Sequence, residues 1–359
     1  MNKGTSPNLE IYAGPKALEK IKQEGFKPQL FDHFLGASGG PKWFTLFGLD
    51  KYLFGEFFNG TNQPLNLVGS SAGAFRASCL AQADPVAAIT RLAESYSQTI
   101  YSRNADREEI TAKASDILDY SLSQNGIEQI INHDTINVHL LTNLCRGLVS
   151  WEFKPLLFAG LVKSMLSNLV SRKRLHSQYQ RVIFHTPNQQ LQFNDQYNFQ
   201  TQYVALTKEN FKPALMASGA IPIAMEGISN IPGAPPGMYR DGGIIDYHFD
   251  LQINNNDALT LYPHFNHKPK AGWFDKNLNR SVNPNNYDNI VMLIPSRNFI
   301  ENLPMKKIPD RKDFSLQEDK TRIRNWQDVL VAGDLLAEEL DDFINQQRID
   351  DIKPFEILQ

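Results

Sequence analysis

A chain of 359 residues is longer than one minimal domain, and predicts one large α/β domain with additions or two ordinary domains. The 36 Lys and Arg residues are balanced by 39 Asp and Glu residues, so the net charge of −3 excludes the basic excess that nucleic-acid binding requires. An apolar fraction of 42% and a charged fraction of 21% exclude a disordered chain, and two cysteines exclude a disulfide framework or a thiolate zinc site.

The first 30 residues predict a polar lead followed by a short helix at residues 15–23, which ends at Gly25. The lead lacks the apolar segment of a secretory leader, and no run of about 18 apolar residues suits a transmembrane helix. We therefore expect a protein of the cytoplasm or of the membrane periphery.

The next segment predicts an α/β fold. Residues 31–35 predict a strand that runs into the glycine turn Ser38-Gly39-Gly40-Pro41-Lys42, and a helix follows. Residues 64–68 predict a second strand, which is followed by Gly69-Ser70-Ser71-Ala72-Gly73 and by a helix at 74–83. This order is typical of a βαβ unit, and therefore of a largely parallel central sheet flanked by helices.

The rest of the chain predicts a mainly helical insertion at about 86–180 and an exposed, Asn-rich loop at 271–287. A helix is expected at 209–218, and an amphipathic helix at 326–346. Further strands are predicted at 181–185, 190–193, 202–207, 238–241, 258–262 and 290–294.

We divide the chain into three parts on this basis. These are the lead and short helix of residues 1–30, a catalytic α/β domain of residues 31–300 that carries the helical insertion, and a C-terminal helical extension of residues 301–359 packed on that domain.

A candidate nucleophile lies in the second glycine turn. Gly69-Ser70-Ser71-Ala72-Gly73 fits the pattern G-x-S-x-G, in which a strained strand-to-helix turn projects the serine hydroxyl above the sheet. Glycines are needed because side chains at the flanking positions would clash, and the following helix presents its positive end to the serine. A tight turn without chemistry is the alternative interpretation.

A serine nucleophile requires a base. None of the eight histidines occupies the place that the chain order of a Ser-His triad would give it, whereas Arg240-Asp241-Gly242-Gly243 places an aspartate at the end of a predicted strand. A carboxylate within hydrogen-bond reach can take the serine proton directly. His248 is expected to be a surface residue, with a place in the lining of the site as the alternative; Asp246 is expected to be solvated, with a supporting carboxylate as the alternative. In isolation, the D-G-G sequence is typical of a simple turn.

The first glycine turn offers backbone N–H groups near Gly39, Gly40 and Lys42. Such groups can stabilise an oxyanion or bind a phosphate. The turn lacks the spacing of a P-loop and of a dinucleotide-binding motif, so nucleotide binding is not favoured.

Together these motifs resemble the patatin-like phospholipase family. In that family an oxyanion-hole stretch, G-G-G-x-[RK]-G, is followed by G-x-S-x-G and, much later, by D-G-[GA]. Here residues 39–42, 69–73 and 241–243 match these motifs in order, and residues 214–222 resemble the A-x-x-A-S-x-A-x-P stretch that precedes D-G-G. The resemblance spans residues 31–250.

The chain also departs from the family pattern. Ser38 and Trp43 replace two glycines of the oxyanion stretch, and Pro41 cannot donate a hydrogen bond. The sequence after D-G-G also differs. The resemblance is therefore to a divergent member.

The resemblance implies a three-layer patatin-like fold and a lipid acyl hydrolase that acts on esters through a Ser-Asp dyad and an acyl-enzyme. It assigns catalysis to Ser71 and Asp241, and implies neither a metal nor another cofactor. The supporting positions are Gly39, Gly40 and Lys42 for the oxyanion hole, Gly69, Ala72 and Gly73 for the elbow, and Gly242 and Gly243 for the turn. An acyltransferase, or a catalytically silent binder of lipid or protein, is the alternative.

The expected partner is a lipid or fatty-acyl ester, with no nucleic acid. The apolar segment 151–175 is the candidate wall or lid of the acyl-chain cleft, and Leu161 and Met165 would share one helical face there. Its basic end, Arg172-Lys173-Arg174, suggests a peripheral membrane contact, with a core helix as the alternative. Cys79 and Cys145 are expected to be packed in the core.

Overall fold

The computed structural model describes residues 7–188, 190–253 and 258–355, and within them its centre is a sheet of eleven strands. The strands, including a separate two-stranded ladder of β6 and β10, are β1 (Leu9–Ala13), β2 (Phe31–Gly36), β3 (Leu65–Ser70), β4 (Ile136–Cys145), β5 (Tyr179–His185), β6 (Phe193–Asn194), β7 (Thr201–Ala205), β8 (Ile228–Ser229), β9 (Met238–Asp241), β10 (Gln252–Ile253), β11 (Leu259–Pro263), β12 (Ile290–Pro295) and β13 (Lys353–Pro354). The helices are α1 (Pro15–Glu24), α2 (Phe47–Tyr52), α3 (Ala72–Leu80), α4 (Pro85–Gln98), α5 (Arg107–Leu122), α6 (Gly126–Ile131), α7 (Lys154–Val170), α8 (Lys208–Gly219), α9 (Arg297–Asn302), α10 (Asp313–Leu316), α11 (Asp319–Ala332) and α12 (Asp334–Gln346).

Five neighbouring strands run parallel, in the spatial order β12, β11, β2, β3 and β4. In register, Leu67 of β3 lies between Phe34 of β2 and Val138 of β4. Antiparallel β1 and β5 extend this group on its two sides. Every residue of β3, β11 and β12 is buried, as is typical of parallel strands covered by helices on both faces. The predicted α/β three-layer fold with a largely parallel central sheet is confirmed.

The core consists of one large apolar cluster and a second, smaller one. The large cluster includes the strands named above and the apolar face of α3, which contacts β2, β3 and β4. Both cysteines are buried and free, as expected. The second cluster joins α7 to the chain just after the D-G-G turn, and consists of Cys145, Val149, Leu157, Leu161, Leu175, Tyr179, Phe199, Ile244 and Ile245.

Residues 86–180 are mainly helical, as the sequence predicts, but they also contain a central strand that it does not predict. Besides α4 to α7 they contain β4, whose ten residues pair with β3, β5 and β9 in the central sheet. The polar residues Asn137, His139 and Asn143 hide this strand, because a buried central strand is normally recognised from an uninterrupted apolar run.

Two other predictions need correction. The amphipathic segment 326–346 contains two helices, α11 and α12, which are separated at Gly333. Gly333 packs closely on Gly48 of α2, since a Cβ on Gly48 would lie 2.2 Å from the Gly333 carbonyl oxygen. The Asn-rich segment 271–287 is not a simple exposed loop, since Asp275, Val282 and Tyr287 are buried in it. Aspartate and tyrosine are poor sequence markers of burial.

The division at residues 30 and 300 stays a prediction. Strand β1 pairs with β12 on one side and with β13 on the other, so residues near both ends of the described chain enter the central sheet. In the described ranges, every helix is too short or too polar to cross a membrane.

Candidate active site

Ser71 occupies the turn between β3 and α3, with backbone angles φ 56° and ψ −123°. A positive φ is strained for a residue with a side chain, and such strain clusters at functional sites. The turn is tight because a Cβ on Gly73 would lie 1.7 Å from the carbonyl oxygen of Gly36, and one on Gly69 2.5 Å from that of Gly73. The local geometry is therefore the strand-turn-helix that the G-x-S-x-G pattern requires.

The sheet register brings Asp241 to this turn. Strand β3 ends with Ser70, which pairs with Leu141 of β4, and β9 pairs Asp241 with the next residue, Thr142. Strand β9 thus occupies the part of β4 that lies beyond the end of β3. As a result, the Ser71 hydroxyl donates a hydrogen bond to Oδ2 of Asp241 at 2.9 Å, and both side chains are buried.

The other oxygen of the Asp241 carboxylate is held by the D-G-G turn. The N–H of Gly243 donates to Oδ1 at 2.7 Å, and the Asn143 amide donates to the Asp241 carbonyl at 2.7 Å. Burial raises the pKa of Asp241, while the Arg311 guanidinium and the hydrogen bonds from Gly243 and Ser71 oppose that rise. The carboxylate therefore faces Ser71 in a fixed orientation and can accept its proton.

His248 is not the surface residue that the sequence predicts. It is buried, its ring packs against His264 and Phe265, and its Nδ1 accepts a hydrogen bond from the N–H of Lys270 at 2.9 Å. Burial holds its pKa well below the ordinary histidine value. Asp246 is also buried, in an ion pair with Arg181 at 2.6 Å, and is not solvated.

The first glycine turn lies beside Ser71. Gly39 lines the same cavity as Ser71 and Asp241, and the Ser38 hydroxyl donates to the carbonyl of Ser70 at 3.1 Å. Gly40 has a φ of +57°, which favours glycine, and a Cβ there would lie 2.7 Å from Nε of Arg311. The Lys42 ammonium forms an ion pair with Asp310 at 3.2 Å. Its side chain is therefore bound to an acid of the protein.

Two cavities meet at Ser71. The larger is apolar and has a volume of about 280 Å³. Its apolar wall is formed by side chains from α3, α4, α5, α10, the link between α4 and α5 and the segment after α8, namely Phe75, Tyr96, Tyr101, Ile110, Ala114, Ile117, Ile221, Ala224, Met225 and Phe314. We call the smaller, of about 20 Å³, the polar cavity because the charged side chains of Asp241, Lys276 and Arg311 line it together with Gly39 and Tyr247; apolar side chains, among them Ile244 and Trp273, complete its lining. An ester placed at Ser71 therefore has an apolar space on one side and a charged one on the other.

The family model for patatin-like phospholipases matches residues 59–248, just over half of the 359 residues. The chain belongs to the patatin-like phospholipase family. The matched region includes Ser71 and Asp241, but neither the glycine turn at 38–42 nor Lys276 and Arg311. Membership supports lipid hydrolysis at the level of the family.

VipD from Legionella pneumophila is a solved structure similar to this patatin-like phospholipase, with 13% sequence identity and a TM-score of 0.30. The alignment covers 73% of this chain and 55% of VipD, so the chain spans about half the length of that protein. No curated protein is similar enough to this chain to match it.

The prediction that residues 151–175 form the wall or lid of the acyl-chain cleft is wrong. None of the side chains that line the two cavities comes from residues 151–175. Leu161 faces the second apolar cluster, whereas Met165 is 46% exposed, so the two do not form one wall. Arg172 is also buried, in an ion pair with Asp275 at 3.1 Å. Composition marked this helix as apolar but could not show which partner its faces meet.

The sequence motifs miss Lys276 and Arg311. Lys276 lies in the Asn-rich segment and Arg311 in a polar stretch before α10, and no pattern in either segment points to a site. The apolar wall is missed for a similar reason, because its side chains come from separate helices that only the tertiary fold brings together.

Proposed function

We propose that this patatin-like phospholipase hydrolyses lipid esters through Ser71 and Asp241. The observation that supports this most is the 2.9 Å hydrogen bond from the Ser71 hydroxyl to a buried carboxylate, on a strained turn that opens into an apolar cavity. Removing the hydroxyl proton makes serine a nucleophile, and a carboxylate whose pKa is raised by burial is a stronger base.

The reaction would proceed in two steps. Ser71 Oγ attacks the ester carbonyl carbon while Asp241 takes the hydroxyl proton, and amides near Gly39 and Gly40 donate hydrogen bonds to the oxyanion. Collapse of the tetrahedral intermediate expels the alcohol, which takes the proton from Asp241 and leaves an acyl-serine. Asp241 then takes a proton from a water molecule, whose oxygen attacks the acyl carbon; the bond from that carbon to Ser71 Oγ breaks, Asp241 returns the proton to Ser71, and the fatty acid is released. A cavity of about 20 Å³ beside both residues is large enough for one water.

Helix α7 offers a surface for contact with an anionic membrane. Its outward side carries an apolar face made of Phe158, Met165, Leu166, Leu169 and Val170, and Phe158 is 61% exposed. The chain contains no Asp or Glu from residue 153 to residue 194, while Lys154, Lys163, Lys173 and Arg174 are exposed along this stretch. Apolar side chains flanked by cations suit a surface of anionic lipid.

Helix α7 also lies close to the active site. Its other side packs on Ile244 and Ile245, which follow the D-G-G turn, and it contacts the turn at Trp273–Asp275, whose Trp273 lines the polar cavity. We therefore propose that the apolar face of α7 binds the membrane from which the substrate is taken.

The hydrolase is tested with a fluorophosphonate probe and a series of esters of increasing chain length. Ser71→Ala should abolish labelling and turnover, and Asp241→Asn should lower kcat by about 10²–10⁴-fold. Ser78→Ala and Asp328→Asn are the controls, since Ser78 bonds within α3 and Asp328 is exposed on α11. Labelling that survives in Ser71→Ala would contradict the proposal, as would a histidine variant as inactive as Asp241→Asn. Product analysis with a competing alcohol separates hydrolysis from acyl transfer.

The membrane contact is tested by sedimentation with phosphatidylcholine vesicles that contain or lack phosphatidylglycerol. The double variant Phe158→Ser and Leu166→Ser should lose binding to the anionic vesicles, because each buried side chain contributes about 1.5–3 kcal/mol. The double variant Val331→Ser and Leu335→Ser removes exposed apolar side chains elsewhere and should bind like the wild type. Equal loss in both double variants, or binding that ignores phosphatidylglycerol, would contradict the assignment to α7.

A further inference from the structure

Two cations line the polar cavity without an acidic partner of their own. Lys276 and Arg311 are both accessible to solvent, and neither ammonium nor guanidinium lies within 4.0 Å of a carboxylate oxygen of any described residue. Other cations around the site do have such partners, since Lys42 pairs with Asp310 and the buried Arg240 with Glu152. These two positive charges are therefore available to a ligand.

Neutral groups hold both cations in place. The Lys276 ammonium lies 4.1 Å from the ring centroid of Tyr247 and 5.6 Å from that of Trp273, so aromatic faces attract it without cancelling its charge. Arg311 packs over the backbone of Gly40 and lies beside the Tyr96 side chain, which lines the same cavity. Because their positions do not depend on an anion in the protein, both cations are arranged before a ligand arrives.

Asp241 does not neutralise this pair. It is the buried carboxylate that faces both cations, but it is a single charge and its Oδ2 already accepts the Ser71 hydroxyl. Asp310, the other acid near Lys276, is bound to Lys42. The mouth of the polar cavity therefore keeps a net positive charge.

The two cavities give a lipid ester a direction. Arg311 lines both of them, whereas Lys276 lines only the polar one. With the acyl chain in the apolar cavity and the ester carbonyl at Ser71, the alcohol portion points toward Lys276 and Arg311. The polar space of about 20 Å³ is too small for a phosphate, so an anionic group would lie at its mouth, where both side chains are accessible.

We propose that Lys276 and Arg311, which lie outside the region matched by the family model, set the head-group specificity of this site by binding the phosphate on the alcohol portion of a fatty-acyl ester. Arginine donates paired hydrogen bonds to phosphate oxygens and lysine adds a point charge, a combination that suits this anion. This proposal rests on the hydrolase function for the direction of the ester. It selects among substrates and adds no step to the reaction.

The test measures binding in the Ser71→Ala background, where the nucleophile is absent. Isothermal titration compares decyl phosphate with an uncharged decyl glycerol ether, both below their critical micelle concentrations. We expect decyl phosphate to bind about tenfold more tightly or better, because its phosphate accepts charged hydrogen bonds that the uncharged ether cannot make. Adding Lys276→Gln or Arg311→Gln should remove most of that preference. Arg297→Gln, on an exposed arginine of α9, should leave it unchanged.

Two results would overturn the proposal. One is equal affinity for the two decyl compounds. The other is equal weakening of both compounds in Lys276→Gln and Arg311→Gln, which would assign these cations to the structure of the cleft. A third arm uses inorganic phosphate alone, and affinity equal to that of decyl phosphate would show a site for the free anion and exclude a lipid head group.

Failure of this proposal is distinguishable from failure of the hydrolase. The titrations need no turnover, so they remain informative if no ester is cleaved. Conversely, a protein that cleaves esters through Ser71 but binds both decyl compounds equally keeps its hydrolase function and loses only the head-group assignment.

Discussion

The Ser218 hydroxyl accepts a hydrogen bond from the N–H of Ser71 at 3.0 Å and donates its own hydrogen to the carbonyl of Leu141 at 2.7 Å. Ser218 lies near the end of α8, within the A-x-x-A-S-x-A-x-P stretch. Ser71 has a strained backbone, and its N–H lies between the end of β3 and the start of α3. Ser218 therefore ties the strained turn to β4, the strand on which Asp241 is also registered.

Ser218→Ala should weaken this turn. It leaves the buried N–H of Ser71 without its partner, which should lower the free energy of unfolding by about 1–3 kcal/mol. It should also slow labelling of Ser71 by a fluorophosphonate, since the hydroxyl is no longer held toward Asp241. Ser78→Ala is the control, because it removes a buried hydroxyl that bonds only to Ala74 within α3. If Ser218→Ala loses stability but is labelled at the wild-type rate, Ser218 supports the fold alone.

The Ser-Asp pair predicts a simple dependence on pH. Asp241 accepts a proton only when it is ionised, and its pKa is raised by burial above the ordinary aspartate value of about 4. The kcat/KM for a short neutral ester should therefore rise with pH through that raised pKa and then level off. A second inflection near pH 6.5 that disappears in a histidine variant would indicate a histidine base instead.

The preference for an anionic ester should change at higher pH. The Lys276 side chain is accessible, but its ammonium lies against the rings of Tyr247 and Trp273, and this local burial, followed by repulsion from Arg311, lowers its pKa to about 7. The charged groups that face it are Arg311, Lys42, Asp241 and Asp310. Lys276 is thus a cation below pH 7 and becomes neutral above it, so the ratio of kcat/KM for a phosphate-bearing ester to that for a neutral one should fall as pH rises through 7. Lys276→Arg should keep the ratio high at pH 8–9, and a ratio that falls equally in this variant would contradict the role of Lys276.

Prediction from sequence succeeds where the structure is local and fails where it is not. The strand, turn and helix around Ser71 are contiguous, and β9 ends at Asp241, so patterns of a few residues locate both. Whether they meet depends on β4, whose polar residues hide it. Lys276 and Arg311 reach the site from segments without secondary-structure patterns, because their positions are set by packing on Tyr247 and Gly40.

A fully buried ion pair joins Arg76 of α3 to Asp50 of α2. Arg76 donates to both carboxylate oxygens of Asp50, at 2.8 Å and 2.6 Å, and neither side chain is exposed. Arg76→Met would leave the Asp50 charge buried without a partner, which should cost about 3–5 kcal/mol of stability. The double variant Asp50→Leu and Arg76→Met removes both charges and should recover most of that loss. Chemical denaturation measures both, and an additive loss in the double variant would contradict strong coupling within the pair.

The apolar cavity predicts which acyl chains the protein accepts. Ala114 of α5 lines this cavity, and phenylalanine at that position would fill part of its volume of about 280 Å³. Ala114→Phe should therefore lower kcat/KM for long-chain esters far more than for a short ester that needs little of the cavity. Across a series of esters with one common alcohol, the acyl-chain length that gives the highest kcat/KM should become shorter.

Ala112→Phe provides the matched control. Ala112 lies two residues earlier on α5, is exposed, and does not line the apolar cavity, so the same added volume should leave the chain-length profile unchanged. Leu161→Ser supplies the contrast with α7. Because Leu161 is packed in the second cluster near Ile244 and Ile245, its loss should lower stability and reduce turnover of short and long esters together. If Leu161→Ser shifts the chain-length optimum and Ala114→Phe does not, the acyl chain lies along α7 and the apolar cavity beside Ser71 is not its binding site.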